Sequence, residues 1–237
     1  MFIPIRDNLP TLRTPFVTVT LIVINTLVFI LSWLTGQANF EGITMTYGFT
    51  PDFVLDLHDR YTTPSWIYLT PFTSMFMHGG WMHLIGNMLF LWIYGNNIED
   101  FFGSVRFLLF YLLSGIAAIA LYSALNLDSQ VPLVGASGAI AGVMGAYMLL
   151  HPKAEITVLM FFFFIQFITI PARVLLGFWI GYQLLMSALG AAGGGGIAWL
   201  AHVGGFVFGY LVLLLYRKAR GAGSTPTSGP RVYRMQW

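Results

Sequence analysis

The chain has no cysteine and very little charge. Among its 237 residues, charged side chains make up 8%. The absence of cysteine excludes a disulfide framework and thiolate metal sites, and says little about compartment. The scarcity of charge excludes a water-facing surface, because a soluble globular domain carries about 25% charged residues. With 57% hydrophobic residues, the composition is that of a polytopic membrane protein. The first apolar run begins near Phe16 and continues too long for a signal-peptide core, so no cleavable signal is expected.

Six apolar runs are long enough to cross a bilayer, which needs roughly 20 apolar residues. They fall at about 16–34, 81–98, 105–125, 135–150, 172–190 and 197–216. Gly138, Gly142 and Gly145 lie near one face of the fourth run, and Gly205 and Gly209 do the same in the sixth. Small residues at such spacings let helix backbones approach closely, which is how membrane bundles pack. The net charge of +2 is uninformative as a total, but its placement is not. With a cytoplasmic N-terminus, Arg6, Arg13, Arg106, Lys153, Arg173, Arg217, Lys218, Arg220, Arg231 and Arg234 all fall inside, and Arg60 alone falls outside. The outer loop at about 35–70 carries Glu41, Asp52, Asp56 and Asp59, with Phe53, Tyr61, Trp66 and Tyr68 suited to the outer interface. Three parts are therefore expected: a cytoplasmic segment at 1–15, a six-helix domain at 16–216, and a basic, disordered tail at 217–237.

Residues 156–170, ITVLMFFFFIQFITI, are apolar but short, and Pro152 and Pro171 bracket them. A crossing here would place Ser137 and His202 at opposite faces and move Arg217 and Lys218 outside. A cytoplasmic-side hairpin or re-entrant segment is expected instead, buried against protein or lying in the interface. Its β-branched and aromatic content suits short strands.

Polar side chains inside these runs are costly and mark function. Ser137 is the candidate nucleophile. Gly135 and Gly138 flank it, and a helix N-terminus would place it among unpaired N–H groups. A packing serine is the plainer alternative. His202 is the candidate base, since a neutral imidazole can take the serine proton and return it to a leaving amine. A histidine satisfied by a backbone carbonyl is the alternative. No carboxylate lies at matching depth, because Glu99 and Asp100 end the second run, so the pair would act as a dyad. His83 and Asn87, four apart on one helix face, together with the Ser137 amide, are candidate oxyanion donors. They serve equally well as a hydrogen-bonded pair that holds helices together. His78 is expected at the helix start near the outer interface, as a plain interfacial residue, with a brace for the loop as the alternative. There is no His-Glu-x-x-His and no carboxylate beside His78 or His83, so neither a metal nor a cofactor is expected.

Three separated stretches carry a family resemblance: His78-Gly79-Gly80-Trp81-Met82-His83-Leu84-Ile85-Gly86-Asn87 with Gly95 and Glu99; Gly135-Ala136-Ser137-Gly138; and Ala201-His202-Val203-Gly204-Gly205 with Gly209. In this order, over roughly 16–216, they resemble the rhomboid family of intramembrane serine proteases. The resemblance implies an all-α, six-transmembrane-helix bundle with a Ser137–His202 dyad. It implies oxyanion donors at Asn87, His83 and the Ser137 amide, and cleavage of transmembrane substrates near the outer face through a water-filled cavity. Two positions depart from the family pattern. Leu69-Thr70-Pro71 stands where many members have Trp-Arg, and Ala141 stands where many have an aromatic that packs on the catalytic histidine.

The expected partners are single-pass transmembrane substrates and the lipid bilayer, with no nucleic acid. The expected setting is a bacterial plasma membrane with both termini cytoplasmic. The fifth run, with Phe178, Trp179 and Gln183, is a candidate lateral gate. A non-catalytic binder of membrane proteins on the same fold would normally have lost Ser137 or His202. A transporter would call for inverted repeats or paired intramembrane charges, which the sequence does not show.

Overall fold

In the computed structural model, the described residues are 2–55, 64–161, 164–189 and 198–219. Residues 56–63 of the outer loop, with Asp56, Asp59, Arg60 and Tyr61, lie outside them, as does the tail from 220 with Arg220, Arg231 and Arg234.

Strand β1 (Phe2–Asp7) leads into helix α1 (Phe16–Trp33). Between α1 and the next long helix, the described residues form α2 (Gln37–Tyr47), α3 (Pro51–Leu55), α4 (Thr70–Thr73) and two 3₁₀ turns. Helices α5 (Trp81–Phe102), α6 (Ser104–Leu125) and α7 (Ser137–Leu150) follow, then strands β2 (Glu155–Phe161) and β3 (Ile165–Pro171), and then α8 (Ala172–Ala188) and α9 (Trp199–Ala219). Among the described helices, α1, α6 and α9 are long and apolar enough to cross a membrane, and α7 and α8 are apolar but shorter. Exposed apolar side chains run in stripes four residues apart, as in Val19, Val23, Leu27 and Leu31 of α1 and Val207, Leu211 and Leu215 of α9. Such stripes belong against lipid, and the chain is an integral membrane protein.

Helix α7 is the centre of the bundle. Every residue from Ala139 to Tyr147 is buried, and α7 touches α5, α6, α8 and α9. Glycines bring α7 and α9 into backbone contact. A Cβ on Gly205 would collide with the Gly138 carbonyl, one on Gly209 with the Gly142 carbonyl, and one on Gly145 with the Phe206 carbonyl. The matched pairs 138/205 and 142/209 both advance by four, so the two helices run parallel in one register.

The all-α expectation is corrected by a three-stranded antiparallel sheet of order β1-β2-β3. The 156–170 run forms its hairpin, with Phe161 opposite Ile165 and Glu155 opposite Pro171. The third strand is residues 2–7, which the sequence offered only as part of an N-terminal segment. Phe2 pairs with Met160 and Asp7 with Ile156, with an irregularity between Pro4 and Arg6. Proline lacks an N–H and is tolerated because β1 is an edge strand.

Carboxylates tie the sheet end of the bundle together. Helix α1 has no acidic residue in its first turn. Buried Glu99, near the end of α5, caps it instead. Glu99 accepts hydrogen bonds from the Val17 and Thr18 amides at 2.9 and 2.8 Å, from the Thr18 hydroxyl at 2.8 Å and from the Ser104 hydroxyl at 2.6 Å. This places a negative group where the unpaired N–H groups and the dipole of α1 favour one. Asp100 accepts from the Leu12 amide at 2.9 Å. Gly103, at φ 78°, makes the tight turn from α5 to α6. Asp7 accepts from the Tyr147 hydroxyl at 2.6 Å and the Asn97 side-chain amide at 2.7 Å. Burial pushes the Asp7 carboxyl above its ordinary value, and those two hydrogen bonds offset part of the rise.

Removal of the Glu99 carboxylate leaves several buried donors unpaired. Glu99→Ala is expected to destabilise by about 2–4 kcal/mol, read as a lower unfolding midpoint in detergent, and Thr18→Ala by less. Asp7 binds a proton more tightly folded than unfolded. Its contribution to stability is therefore greatest in acid and is lost as pH rises from 3.8 through the raised folded value. Measured against Asp7→Asn, the parent should lose stability across that window, and a pH-independent difference would contradict the assignment.

Candidate active site

Ser137 is the first residue of α7, where backbone N–H groups have no partner within the helix. His202 lies in the first turn of α9. Parallel packing of the two helices sets these starts side by side. His202 Nε2 is 2.8 Å from Ser137 Oγ. On its other side, His202 Nδ1 is 2.8 Å from Oε1 of Gln183 on α8. Trp179, one turn before Gln183, lies against the imidazole with ring centroids 5.8 Å apart at 36°. Ala141, in the place of the family aromatic, is buried in the core, and the ring on His202 comes from α8.

His83 and Asn87 share the inner face near the start of α5. The Asn87 side-chain amide donates to the His83 carbonyl at 2.7 Å, which leaves one N–H of that group. His83 Nδ1 accepts from the Gly79 amide at 3.4 Å, so the ring proton belongs on Nε2. That edge faces Gly135. A Cβ on Gly135 would come within 2.7 Å of His83 Nε2 and 3.7 Å of Asn87 Nδ2. Gly135 also holds φ at 112°, and its N–H donates to the Ser74 carbonyl at 2.9 Å. Glycine is needed on both counts, and it brings the loop before Ser137 against the α5 donors. A cavity of about 40 Å³ adjoins Ser137, lined by Met75, Gly115, Ala118, Gly138 and Ala201 among others, with room for water.

His78, just before α5, is buried within the protein. It is 2% exposed and packs edge-on against His83 with centroids 5.2 Å apart. Burial lowers its pKa to about 3, with the neighbouring His83 adding to the effect, so it is neutral at physiological pH. Sequence reasoning also left Gln183 out of the site and placed it only on a candidate gate helix. The available signal was a lone amide in an apolar helix, which needs a buried partner. Phe178, on the same helix, is 79% exposed.

The arrangement is a hydroxyl in contact with an imidazole, with the His83 and Asn87 side chains beside the preceding loop, inside an apolar helical bundle. Comparison with known proteins gives the family. The Rhomboid domain matches residues 65–219. RHOMBOID-like protein 4 of Arabidopsis thaliana is 35% identical over 147 residues, covering 61% of this chain and 34% of its own. Rhomboid protein 1, mitochondrial, of Saccharomyces cerevisiae is 33% identical over 147 residues, covering 58% and 39%. Rhomboid protease GluP of Bacillus subtilis is 44% identical over 84 residues, covering 35% and 15%. The matched stretches span less than half the length of these relatives. The chain belongs to the rhomboid family.

Gly135→Ala is expected to destabilise by about 1–3 kcal/mol through backbone strain and collision with His83, read as a lower unfolding midpoint. Gly86→Ala is the control: a Cβ there meets nothing within 4 Å. It should leave stability unchanged or raise it slightly.

Proposed function

We propose that the chain is an intramembrane serine endopeptidase that cleaves transmembrane substrates near the outer membrane face. The observation that carries this reading is the 2.8 Å contact between Ser137 Oγ and His202 Nε2 at the starts of two apolar helices. His202 takes the hydroxyl proton as Ser137 attacks the substrate carbonyl. The Ser137 amide, Asn87 and His83 hold the oxyanion. His202 then protonates the leaving amine, and water resolves the acyl-enzyme.

Six helices, α1 and α5 to α9, are the proposed membrane segments. The β2–β3 hairpin returns to its starting end, since the Ala172 amide donates to Ala154 O and Arg173 N to Pro152 O. It adds no crossing. The start of α1, the end of α5 and the end of α7 all meet the same end of the bundle through Glu99, Asp7 and Asn97. Arg217 donates to Leu149 O at 3.4 Å, which brings the end of α9 there too. Arg6, Arg13, Arg106, Lys153, Arg173, Arg217 and Lys218 therefore gather at one end, and the positive-inside rule supports a cytoplasmic placement of that end. A bacterial plasma membrane is the proposed setting. Helix α7 has 14 residues and is about 21 Å long at 1.5 Å per residue. It falls short of the roughly 30 Å hydrocarbon core. That shortness supports a Ser137 sunk below the outer surface beside the small cavity.

Ser137→Ala is expected to abolish cleavage of a single-pass reporter in proteoliposomes. Asn87→Ala should retain weak activity, down by ~10²–10³ in rate. Undiminished cleavage by purified Ser137→Ala protein would contradict the mechanism.

A further inference from the structure

We propose that Gln183 is the positioning residue of the dyad, fixing the tautomer of His202 so that Nε2 is free to accept the Ser137 proton. The inference rests on the Ser137–His202 reading above and gives the pair a third member from a different helix.

A neutral imidazole carries one proton, on either nitrogen. The form with the proton on Nδ1 leaves a lone pair on Nε2 and serves as base. The form with the proton on Nε2 donates to Ser137 Oγ and has no lone pair for the hydroxyl proton. Gln183 presents Oε1, which can only accept, to Nδ1 at 2.8 Å. The proton is therefore held on Nδ1. Serine dyads lack the carboxylate that does this in a triad, and here an amide oxygen stands in its position without adding charge to the membrane interior. Gln183 is 4% exposed. A buried amide in an apolar helix is costly unless paired, and the imidazole is the partner its Oε1 meets. Trp179 adds the second constraint by covering the ring face, so both groups that orient the base come from α8. The same helix turns Val174, Phe178 and Leu185 outward. A displacement of α8 therefore acts directly on the base.

The test uses the full-length protein in detergent micelles, labelled with ¹⁵N-imidazole histidine. His202 signals are assigned as those lost in His202→Ala. The parent should show a protonated Nδ1 and an unprotonated Nε2. Gln183→Met keeps the length and removes the acceptor. It should lose this preference and lower kcat by about tenfold, as expected for one hydrogen bond, with KM within about twofold. Gln183→Glu keeps an acceptor oxygen and should restore both the tautomer and most of kcat relative to Gln183→Met, which a packing role would not produce. A parent proton on Nε2 would overturn the assignment, and this measurement does not depend on any variant folding. So would a Gln183→Met enzyme with unchanged tautomer or unchanged kcat. A parent with its proton on Nδ1 that cleaves nothing would count against the protease reading and leave the positioning role standing.

Discussion

The backbone contact between α7 and α9 is the constraint on which the rest of the site depends. Side chains at Gly145, Gly205 or Gly209 would push the two helices apart, and side chains at Gly138 or Gly142 would collide with Ala118 and Ser114 of α6. Without those side chains the helices run parallel and their first turns coincide. Ser137 and His202 stand at those first turns, sixty-five positions apart in the chain and 2.8 Å apart in space. A hydrophobic drive between helices is weak in lipid, so this seam depends on contact at close range. The chemistry inherits its geometry from packing.

A second set of constraints works at the opposite end. Glu99 caps α1 from α5, Asp100 receives the chain before α1, and Asp7 joins the edge strand to α5 and α7. These are charges and hydrogen bonds at the basic end of the bundle. The Ser137 end is held differently. There Gly135 of the loop before α7, His83 and Asn87 of α5, and Gln183 of α8 come from three segments to the neighbourhood of Ser137 and His202. Apolar close contact fixes the middle, polar caps fix one end, and the Ser137–His202 pair occupies the other.

How much of this was legible in the sequence follows from the range of each interaction. The glycine spacings and the His83/Asn87 pair are local patterns with helical period, and they could be read directly. The 156–170 run declared itself too short to cross and rich in strand formers. Its partner could not be read, because residues 2–7 contain Pro4, Arg6 and Asp7 and become a strand only when β2 offers an edge. Glu99 read as the polar end of a span, since a cap supplied to a helix 81 positions away has no local signature. Gln183 and His202 are 19 positions apart on two helices, and no spacing rule joins them. The burial of His78 against His83 was not legible, because it depends on how the preceding turns fold back.

The central claim is that Ser137 is a nucleophile activated by His202. Labelling of the purified protein with a fluorophosphonate, followed by mass spectrometry of the adduct, tests it most directly. The account predicts a single covalent adduct on Ser137 that disappears when His202 is replaced by alanine. An adduct on another residue, no adduct, or equal labelling of Ser137 in the His202→Ala protein would contradict it.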